Sequence, residues 1–274
     1  MGETEQETPP PVLSTPVVYG PVASRRLGRS LGINLFTPAS KVCTFDCAYC
    51  QCGAAQPTAT GILSLARIKR GLSASFRKLV RFGTPIQHLT FAGNGEPTIH
   101  PDFPEIVAYV LRLRDRLLPG IPTAIFTNGS ALGTSAIRSA IAKLDRRFLK
   151  LDAGDPQTAR RVNRSKNFAA IVHSLAAAAK EMPVEISTAV ITAPARFANL
   201  NSLRNLGYVR VVQRINPQRL YLYSIDRPPA VSVIEQASPA VLLQLATYLR
   251  SRLDVPVLVL RSRRTRPWAQ WIWE

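Results

Sequence analysis

Residues 43–52 read Cys43-Thr-Phe-Asp-Cys47-Ala-Tyr-Cys50-Gln-Cys52 and contain all four cysteines of the 274-residue chain. The first three follow the spacing C-x3-C-x2-C. A 4Fe–4S cluster that only carries electrons has four cysteine ligands, whereas three thiolates leave one iron open to a second molecule. The spacing therefore predicts a cluster on Cys43, Cys47 and Cys50. Cys52 is expected to be an incidental thiol, although a hydrogen-donating or covalent role stays open.

Two other uses of cysteine fit this stretch less well. A structural zinc site with four cysteines usually has two pairs separated by a longer loop. Disulfides are not expected, because residues 1–16 are acidic and then proline-rich, without the basic region and apolar core of a signal peptide. The same observation predicts a cytoplasmic protein. No apolar run is long enough to span a membrane, so no membrane partner is expected.

The chain is strongly basic, with a formal net charge of +18 and 28 Arg against 7 Lys. Such a balance suggests a polyanionic partner such as RNA. Most of the Arg residues are scattered over helical patterns, where a solvated face is the usual explanation. Residues 261–273 differ, since they combine four Arg with three Trp, a composition suited to RNA contact. Burial of the Trp side chains against the core is the alternative.

Short apolar runs alternate with amphipathic stretches along the chain, which predicts strands joined by helices in a parallel sheet. The predicted strands are Leu31–Phe36, Ile86–Phe91, Thr123–Phe126, Phe148–Leu151, Val184–Ile191 and Arg219–Tyr223, with Val255–Leu260 as an edge strand. The predicted helices are Leu63–Val80, Phe103–Leu118, Ser135–Leu144, Phe168–Lys180, Asn199–Leu206 and Pro239–Arg252. Six such units predict an α/β fold, a partial TIM barrel of the (β/α)6 type. We expect a tail over 1–16, a core over 17–254 and an Arg/Trp-rich extension over 255–274.

Polar or glycine-containing segments follow each of the six predicted strands. In parallel α/β barrels, the chemistry lies at the carboxyl ends of the strands. The segments are the cysteines, Gly93-Asn-Gly-Glu-Pro97, Thr127-Asn128-Gly129, Asp152, Thr192 and Asp226-Arg227. The pattern predicts a site at the open mouth of the barrel.

The loop from Gly93 to Pro97 places two glycines beside a carboxylate. Glycine permits close approach of the backbone to a ligand, and the carboxylate of Glu96 can hold an ammonium group. A tight turn that begins a helix at Pro97 is the alternative. Asn128 and Asp152 are candidates for contacts with ribose hydroxyls, although Asn128-Gly129 is also a common turn dipeptide. Arg164 is a candidate partner for a ligand carboxylate, unless it lies on a solvated helix face.

These motifs resemble those of the radical S-adenosylmethionine (radical SAM) superfamily. Tyr49 occupies the aromatic position of its cysteine motif, and Gly93–Glu96 resembles a variant of its Gly-Gly-Glu motif. Residues 20–34, GPVASRRLGRSLGIN, are similar to the "GPVPSRRLGRSLG" opening of the wyosine-synthesis-like Fe–S oxidoreductases. Further landmarks of that group match in order, namely Phe91–Thr98, Thr127–Ser130, Lys150–Asp155, Val162–Arg164 and Ile225–Pro229. Gln51 departs from the Phe-Cys-Trp-Arg form of true wyosine enzymes, so a tRNA substrate is not carried over.

The resemblance implies that S-adenosylmethionine binds the open iron and is reductively cleaved to a 5′-deoxyadenosyl radical, which abstracts hydrogen from a substrate. It also implies an electron donor of the flavodoxin or ferredoxin type. The residues it assigns to binding of S-adenosylmethionine are Tyr49, Gly93, Asn94, Gly95, Glu96, Asn128, Asp152 and Arg164. An RNA base, a peptide and a small metabolite stay open as substrates, and the oligomeric state is not predicted. The alternative from another class is a basic RNA-binding module that holds zinc or a sensing Fe–S site.

Overall fold

The computed structural model describes residues 16–39, 41–55, 61–226, 229, 231 and 233–261. Within them, eight strands form one sheet whose order follows the chain from β1 to β8. The strands are β1 (Val18–Ser24), β2 (Gly28–Ile33), β3 (His88–Phe91), β4 (Thr123–Thr127), β5 (Arg146–Lys150), β6 (Glu185–Ala189), β7 (Arg219–Tyr223) and β8 (Val257–Leu260). Strands β2 to β8 are parallel to one another, and β1 pairs with β2 in the antiparallel direction.

The described helices follow the strands in the alternating order that the sequence predicts. They are α1 (Leu65–Phe82), α2 (Phe103–Leu117), α3 (Ser135–Ala142), α4 (Pro156–Val162), α5 (Phe168–Glu181), α6 (Leu200–Leu203), α7 (Leu206–Ile215) and α8 (Pro239–Arg250). The sheet curls into a half-barrel. As a consequence, the side chain of Arg25 in the turn between β1 and β2 reaches the carbonyl of Ser224, directly after β7, at 3.1 Å. The predicted α/β class and partial TIM barrel are confirmed.

The main apolar core lies between the helices and the sheet. Ile68, Leu72 and Phe76 on α1 and Phe103 on α2 are fully buried there. Burial of one such side chain contributes about 1.5–3 kcal/mol to the free energy of unfolding. A smaller cluster, formed by Leu27, Ala124, Phe148 and Tyr221, lies apart from this core. Two packing layers therefore position the strand ends: the helices outside, and side chains such as Phe148 inside the curl.

The predictions of the elements are mostly correct, but several elements differ. Strand β1 was not predicted, because Gly20 and Pro21 lie within it and both are unfavourable in a strand interior; an edge strand tolerates them. The strand predicted over 31–36 is found over Gly28–Ile33, so it begins and ends three residues earlier than predicted. Helix α4 was also missed, although Asp155 caps it by accepting a hydrogen bond from the Thr158 backbone N–H at 2.7 Å.

The helix predicted over 199–206 is wrong in its bounds. The chain forms the short α6 there, and α7 then begins where the prediction ended, at Leu206. Asn205 caps α7 by accepting a hydrogen bond from the backbone N–H of Gly207 at 2.9 Å. Asn is a favoured N-cap residue, so Asn205 starts a second helix inside the range that was predicted as one.

The edge strand predicted over 255–260 is confirmed as β8, which pairs with β7. The division of the chain into tail, core and extension stays a prediction, since residues 1–15 and the Arg/Trp segment after Arg261 lie outside the described part. No helix in the described ranges combines the length and the apolar character that crossing a membrane requires.

Gly154 offers a test of the packing between the β5–α4 loop and α7. A Cβ atom at Gly154 would lie 2.5 Å from the backbone nitrogen of Tyr208 and 2.6 Å from its Cβ. We expect Gly154→Ala to lower the free energy of unfolding by about 1–3 kcal/mol, the usual cost of overpacking. Urea denaturation measures the change.

Gly133→Ala is the matched control, because an added Cβ there would come no closer than 4.0 Å to its nearest neighbour, Ser174 Oγ. It is expected to leave the urea midpoint nearly unchanged. Equal midpoints for the two variants would contradict the proposed contact between Gly154 and α7.

Candidate active site

The cysteines lie in a loop without regular secondary structure between β2 and α1, and neighbouring strand-end loops hold it in place. Val42 forms a parallel bridge with Gly95. Its backbone N–H donates to the Asn94 carbonyl, and its carbonyl accepts from the Glu96 backbone N–H, both at 2.9 Å. The backbone N–H of Asp46 donates to the carbonyl of Asn163 at 3.0 Å, and that of Ala48 donates to Val162 at 2.9 Å. The loop is therefore anchored on two sides before any metal binds.

The predicted ligand thiols of Cys43 and Cys47 accept hydrogen bonds from backbone and side-chain N–H groups. Cys43 Sγ accepts from the backbone N–H of Phe45 at 3.4 Å and from Asn128 Nδ2 at 3.6 Å, and Cys47 Sγ accepts from Asn163 Nδ2 at 3.3 Å. Burial raises the pKa of Cys43 to about 12, and it also raises the pKa of Cys47. In the absence of bound metal these two thiols are protonated at neutral pH, and N–H donors are in position to stabilise thiolates once a metal displaces the protons.

Cys50 and Cys52 form a hydrogen-bonded pair. The thiol of Cys52 lowers the pKa of Cys50 to about 6, and the pKa of Cys52 is itself raised, first by this bond and then by burial. Cys52 Sγ also lies 3.7 Å from the carbonyl oxygen of Gly93. Cys52 thus lies in the wall of the same site, a position that the sequence alone did not predict.

Lys41 is a residue of the site that sequence analysis missed. It is buried, and its Nζ donates to Asp46 Oδ1 and to the Gly53 carbonyl, both at 3.2 Å. Burial would lower the pKa of Lys41, but the neighbouring thiols and Asp46 raise it. A buried ammonium group beside three thiols favours their deprotonated forms. A single lysine two residues before the motif has no spacing signal that would have revealed it.

The glycines of the Gly93–Glu96 loop are required by packing beneath the cysteine loop. A Cβ atom at Gly95 would lie 1.7 Å from the Val42 carbonyl oxygen, and one at Gly93 would lie 2.4 Å from Asn34 Oδ1. Asn94 between them is buried, and its Nδ2 donates to the Thr37 carbonyl at 3.1 Å. Gly93 and Gly95 line the central cavity, whereas Asn94 does not. Its predicted contact with S-adenosylmethionine stays a prediction.

The carboxylate of Glu96 is buried and holds two strand ends together. Oε1 accepts from Thr127 Oγ1 and Thr98 Oγ1 at 2.6 Å and from the Thr98 backbone N–H at 3.2 Å, while Oε2 accepts from the Asn128 backbone N–H at 2.7 Å. Burial raises the pKa of Glu96, and these bonds act in the opposite direction. Glu96 still lines the cavity, so its contact with a ligand ammonium group stays a prediction.

Asp152 is the centre of a second buried network. Its Oδ2 accepts from Asn163 Nδ2 at 2.7 Å, from Lys150 Nζ at 3.1 Å and from the hydroxyl of Tyr49, and its Oδ1 accepts from the Ala189 backbone N–H at 2.8 Å. Lys150 Nζ also donates to the Tyr49 hydroxyl. Burial would lower the pKa of Lys150, but Asp152 raises it well above the ordinary value.

This network orients the cysteine loop and leaves little of Asp152 for a ligand. Both of its oxygens have protein donors, and the cavity is lined by Tyr49 and Lys150 instead. Burial, followed by the charge of Asp152, raises the pKa of Tyr49, which therefore stays neutral. The predicted ribose contact of Asp152 stays a prediction, while its contact with Tyr49 links β5 directly to the cysteine motif.

Asn128 and Arg164 have different surroundings. Asn128 lines the cavity, and its Nδ2 donates to Thr44 Oγ1 at 2.9 Å as well as to Cys43 Sγ. The side chain of Arg164 is about half exposed, at 49%, and pairs with Asp46 in the cysteine loop. Arg164 does not line the cavity, so the structure does not bring it to the site where a cosubstrate carboxylate was predicted.

A cavity of about 450 Å³ extends from the three cysteines into the half-barrel. Its inner wall consists of side chains from β4 to β7, namely Phe126, Phe148, Lys150, Ser187 and Tyr223. Arg25 and Arg26 from the β1–β2 hairpin also line it. Both belong to the GPVASRRLG stretch, and the sequence carries no signal of where the side chains of adjacent arginines in a turn point.

The donor chemistry of the site fits a cluster better than a single ion. Among the residues that the structure describes, no three His, Cys, Asp or Glu side chains are arranged to hold one metal ion. A zinc site needs its donors around one centre at about 2.0–2.3 Å, whereas in a cubane each thiolate binds a different iron. The three thiols line one cavity, and N–H groups donate to the sulfur atoms of Cys43 and Cys47, as they do around the thiolate ligands of iron–sulfur clusters.

The chain was compared with known proteins. The family model of the radical SAM superfamily matches residues 37–194. A protein of Helicobacter pylori described as a UPF0026 protein is 30% identical over 215 residues, which cover 78% of this chain and 67% of that protein.

Two solved structures share the fold at low sequence identity. The structure of TYW1 with a lysine-pyruvate adduct bound has a TM-score of 0.61 at 16% identity and covers 82% of this chain and 75% of that one. The crystal structure of Streptococcus suis SuiB bound to S-adenosylmethionine has a TM-score of 0.61 at 14% identity and covers 92% of this chain and 52% of that one. Together with the family match, these findings show that the chain belongs to the radical SAM superfamily, whose members use a 4Fe–4S cluster and S-adenosylmethionine.

Proposed function

We propose that Cys43, Cys47 and Cys50 bind a 4Fe–4S cluster and that the cavity beside them holds S-adenosylmethionine. The observation that carries the proposal is the position of the three thiols at the mouth of a 450 Å³ cavity inside a half-barrel. The chemistry that the cluster supplies when bound is reductive cleavage of S-adenosylmethionine to a 5′-deoxyadenosyl radical, which abstracts hydrogen from a substrate. The electron comes from a donor of the flavodoxin or ferredoxin type.

The residues of the chain position and shield this chemistry. Lys41 and the amide donors of Asn128 and Asn163 stabilise negative charge on the sulfur atoms. The Tyr49–Asp152 contact fixes the second half of the cysteine loop, and the glycines allow the first half to lie directly on the β3 loop. Aromatic side chains on β4, β5 and β7 keep water out of the half-barrel, as a radical reaction requires.

The finer assignment rests on sequence motifs. We propose membership in the wyosine-synthesis-like group, supported by the GPVASRRLG stretch at residues 20–28. An RNA base, a peptide and a small metabolite are the substrate classes from which the proposal starts. The alternative of a metal-sensing RNA-binding module has less support, because such a module needs no cavity beside its metal site.

Substitution of single cysteines tests the ligand set. We expect Cys43→Ala, Cys47→Ala and Cys50→Ala each to abolish the cluster, because thiolates are the iron ligands of this site. Cys52→Ala is the matched control from the same loop and is expected to retain it. Iron and sulfide content and visible absorption after anaerobic reconstitution provide the measurement; loss of iron in the Cys52 variant would overturn the assignment.

Glu96→Gln tests the β3 loop. An amide NH₂ group in place of one carboxylate oxygen would face an N–H or O–H donor, so we expect the free energy of unfolding to fall by about 1–3 kcal/mol. If Glu96 also contacts the methionyl ammonium group, binding of S-adenosylmethionine weakens by about 1.5–3 kcal/mol. Denaturation and calorimetric titration measure the two effects separately.

Glu105→Gln is the control, since Glu105 lies on α2 and its side chain is half exposed, paired with Lys69. It should change neither quantity. An unchanged affinity for S-adenosylmethionine in Glu96→Gln would restrict Glu96 to holding Thr127 and Asn128 in place.

The charge of +18 makes RNA binding a separate question. We expect binding of bulk RNA to be weak and to fall steeply with salt, since each neutralised phosphate releases a counterion. Replacement of Arg263, Arg264 and Arg266 by Gln should reduce the salt slope if this segment carries the contact. Tight binding of one tRNA at physiological salt, lost in this variant, would contradict the expectation and identify a tRNA-modifying enzyme.

A further inference from the structure

Arg26 lies at the tip of the β1–β2 hairpin, and its side chain enters the concave side of the sheet. Its Nη2 donates to Ser187 Oγ on β6 at 2.7 Å. The residue lines the same cavity as the three cysteines. The turn that carries Arg26 precedes β2, whereas the cysteines follow the carboxyl end of β2, so the Arg26 side chain enters the cavity from the β1–β2 hairpin.

Four aromatic rings surround the guanidinium group. Its central carbon lies 4.3 Å from the centre of the Tyr223 ring, 5.3 Å from Phe126, 5.9 Å from Tyr221 and 6.0 Å from Phe148. Rings at these distances attract a cation through their quadrupoles and hold it in a fixed place. The rings carry no formal charge, so they position Arg26 without neutralising it.

Other buried cations near the cavity have carboxylate partners in the described part of the chain. Arg25 pairs with Asp226 at 3.3 Å, Lys150 with Asp152 at 3.1 Å and Arg146 with Glu185 at 2.6 Å. Arg26 makes no such ion pair among the described residues, and its Nε is buried there without a hydrogen-bond partner. A buried charge is costly unless it is paired.

The two terminal nitrogens of this guanidinium group carry more N–H donors than their protein partners accept. An Arg side chain carries five N–H donors, four of them at the two terminal nitrogens; the hydroxyl groups of Ser187 and Tyr223 accept two of the five. Glu96 lines the cavity as well, but its oxygens are taken by Thr98, Thr127 and Asn128. The remaining donors of Arg26 therefore have room for an anion that enters the cavity.

We propose that Arg26 binds a carboxylate group of the substrate in this cavity, beside the aromatic side chains of β4, β5 and β7. The inference rests on the proposed function, since the cavity is a substrate chamber only if S-adenosylmethionine binds at its mouth. A carboxylate matches the terminal edge of one guanidinium with two parallel hydrogen bonds. A phosphate dianion would leave excess charge among aromatic rings, where burial is unfavourable. The substrate class is thus a small carboxylic acid whose remaining part lies in the cavity beside Phe126, Phe148 and Tyr223.

Benzoate and benzamide form a matched pair of probes, because they share a ring and differ in the charged group. The reconstituted, unreduced protein is titrated with each by calorimetry, with and without saturating S-adenosylmethionine. Benzoate is expected to bind, and benzamide about tenfold more weakly, as expected for hydrogen bonds to a charged group. Benzoate binding that disappears when S-adenosylmethionine is added would overturn the proposal, since the anion site would then serve the methionyl carboxylate.

Three variants make the test specific. Arg26→Gln is expected to weaken benzoate binding about tenfold, and Arg26→Lys, which keeps the charge but not the paired donors, by a smaller factor. Arg67→Gln removes an exposed Arg on α1 and is expected to leave binding unchanged. Equal benzoate affinity in the native protein and in Arg26→Lys and Arg26→Gln would overturn the proposal; the Lys variant keeps the test valid if Arg26→Gln does not fold.

Two further results separate the possible failures. Inorganic phosphate that displaces benzoate with higher affinity would overturn the carboxylate assignment and would favour a phosphorylated or nucleic-acid substrate. Arg26-dependent benzoate binding in a protein that does not cleave S-adenosylmethionine under reduction would overturn the proposed function while it supports the carboxylate site. Cleavage without benzoate binding would overturn the carboxylate site alone.

Discussion

The close contact between the Val42 backbone and Gly95 is the constraint on which the site depends. The cysteine loop has no helix or strand of its own, so its shape comes from the loops that it touches. At this contact a Cβ atom would approach the Val42 carbonyl oxygen to 1.7 Å, which makes glycine the only residue that permits the bridge. Once the loop lies there, Asn128 reaches Cys43, and Asn163 on the other side reaches Cys47.

Strand-end carboxylates give this loop its support. Glu96 joins the β3 and β4 loops, and Asp152 joins Tyr49 to Asn163. Both carboxylates are buried with protein donors on both oxygens, and such networks are rigid when every member is satisfied. The polar residues at the strand ends thus form two groups. Glu96 and Asp152 hold the cysteine loop, and Asn128 and Lys150 line the cavity.

The sequence predicted the fold and the position of the site better than the roles of single residues. Periodicity indicates which residues stand at strand ends, and Gly93–Glu96, Asn128 and Asp152 do lie on one rim. It does not indicate in which direction a side chain points, and the hydrogen bonds of Asn94 and Asp152 to other parts of the protein could not be predicted from it. Arg164 was expected to meet a ligand, but its partner is Asp46 in the cysteine loop.

The least predictable element, β1, has the largest effect on the chemistry of the cavity. Without β1, the sheet would consist of seven parallel strands, and no turn would precede the amino end of β2. An antiparallel strand before β2 requires a turn at that end, and this turn carries Arg25 and Arg26. Because the sheet is curled, the turn lies opposite β6 and β7, so both side chains cross to them. The hairpin therefore places a cation among the aromatic side chains that line the cavity, and this charge follows from the direction of β1.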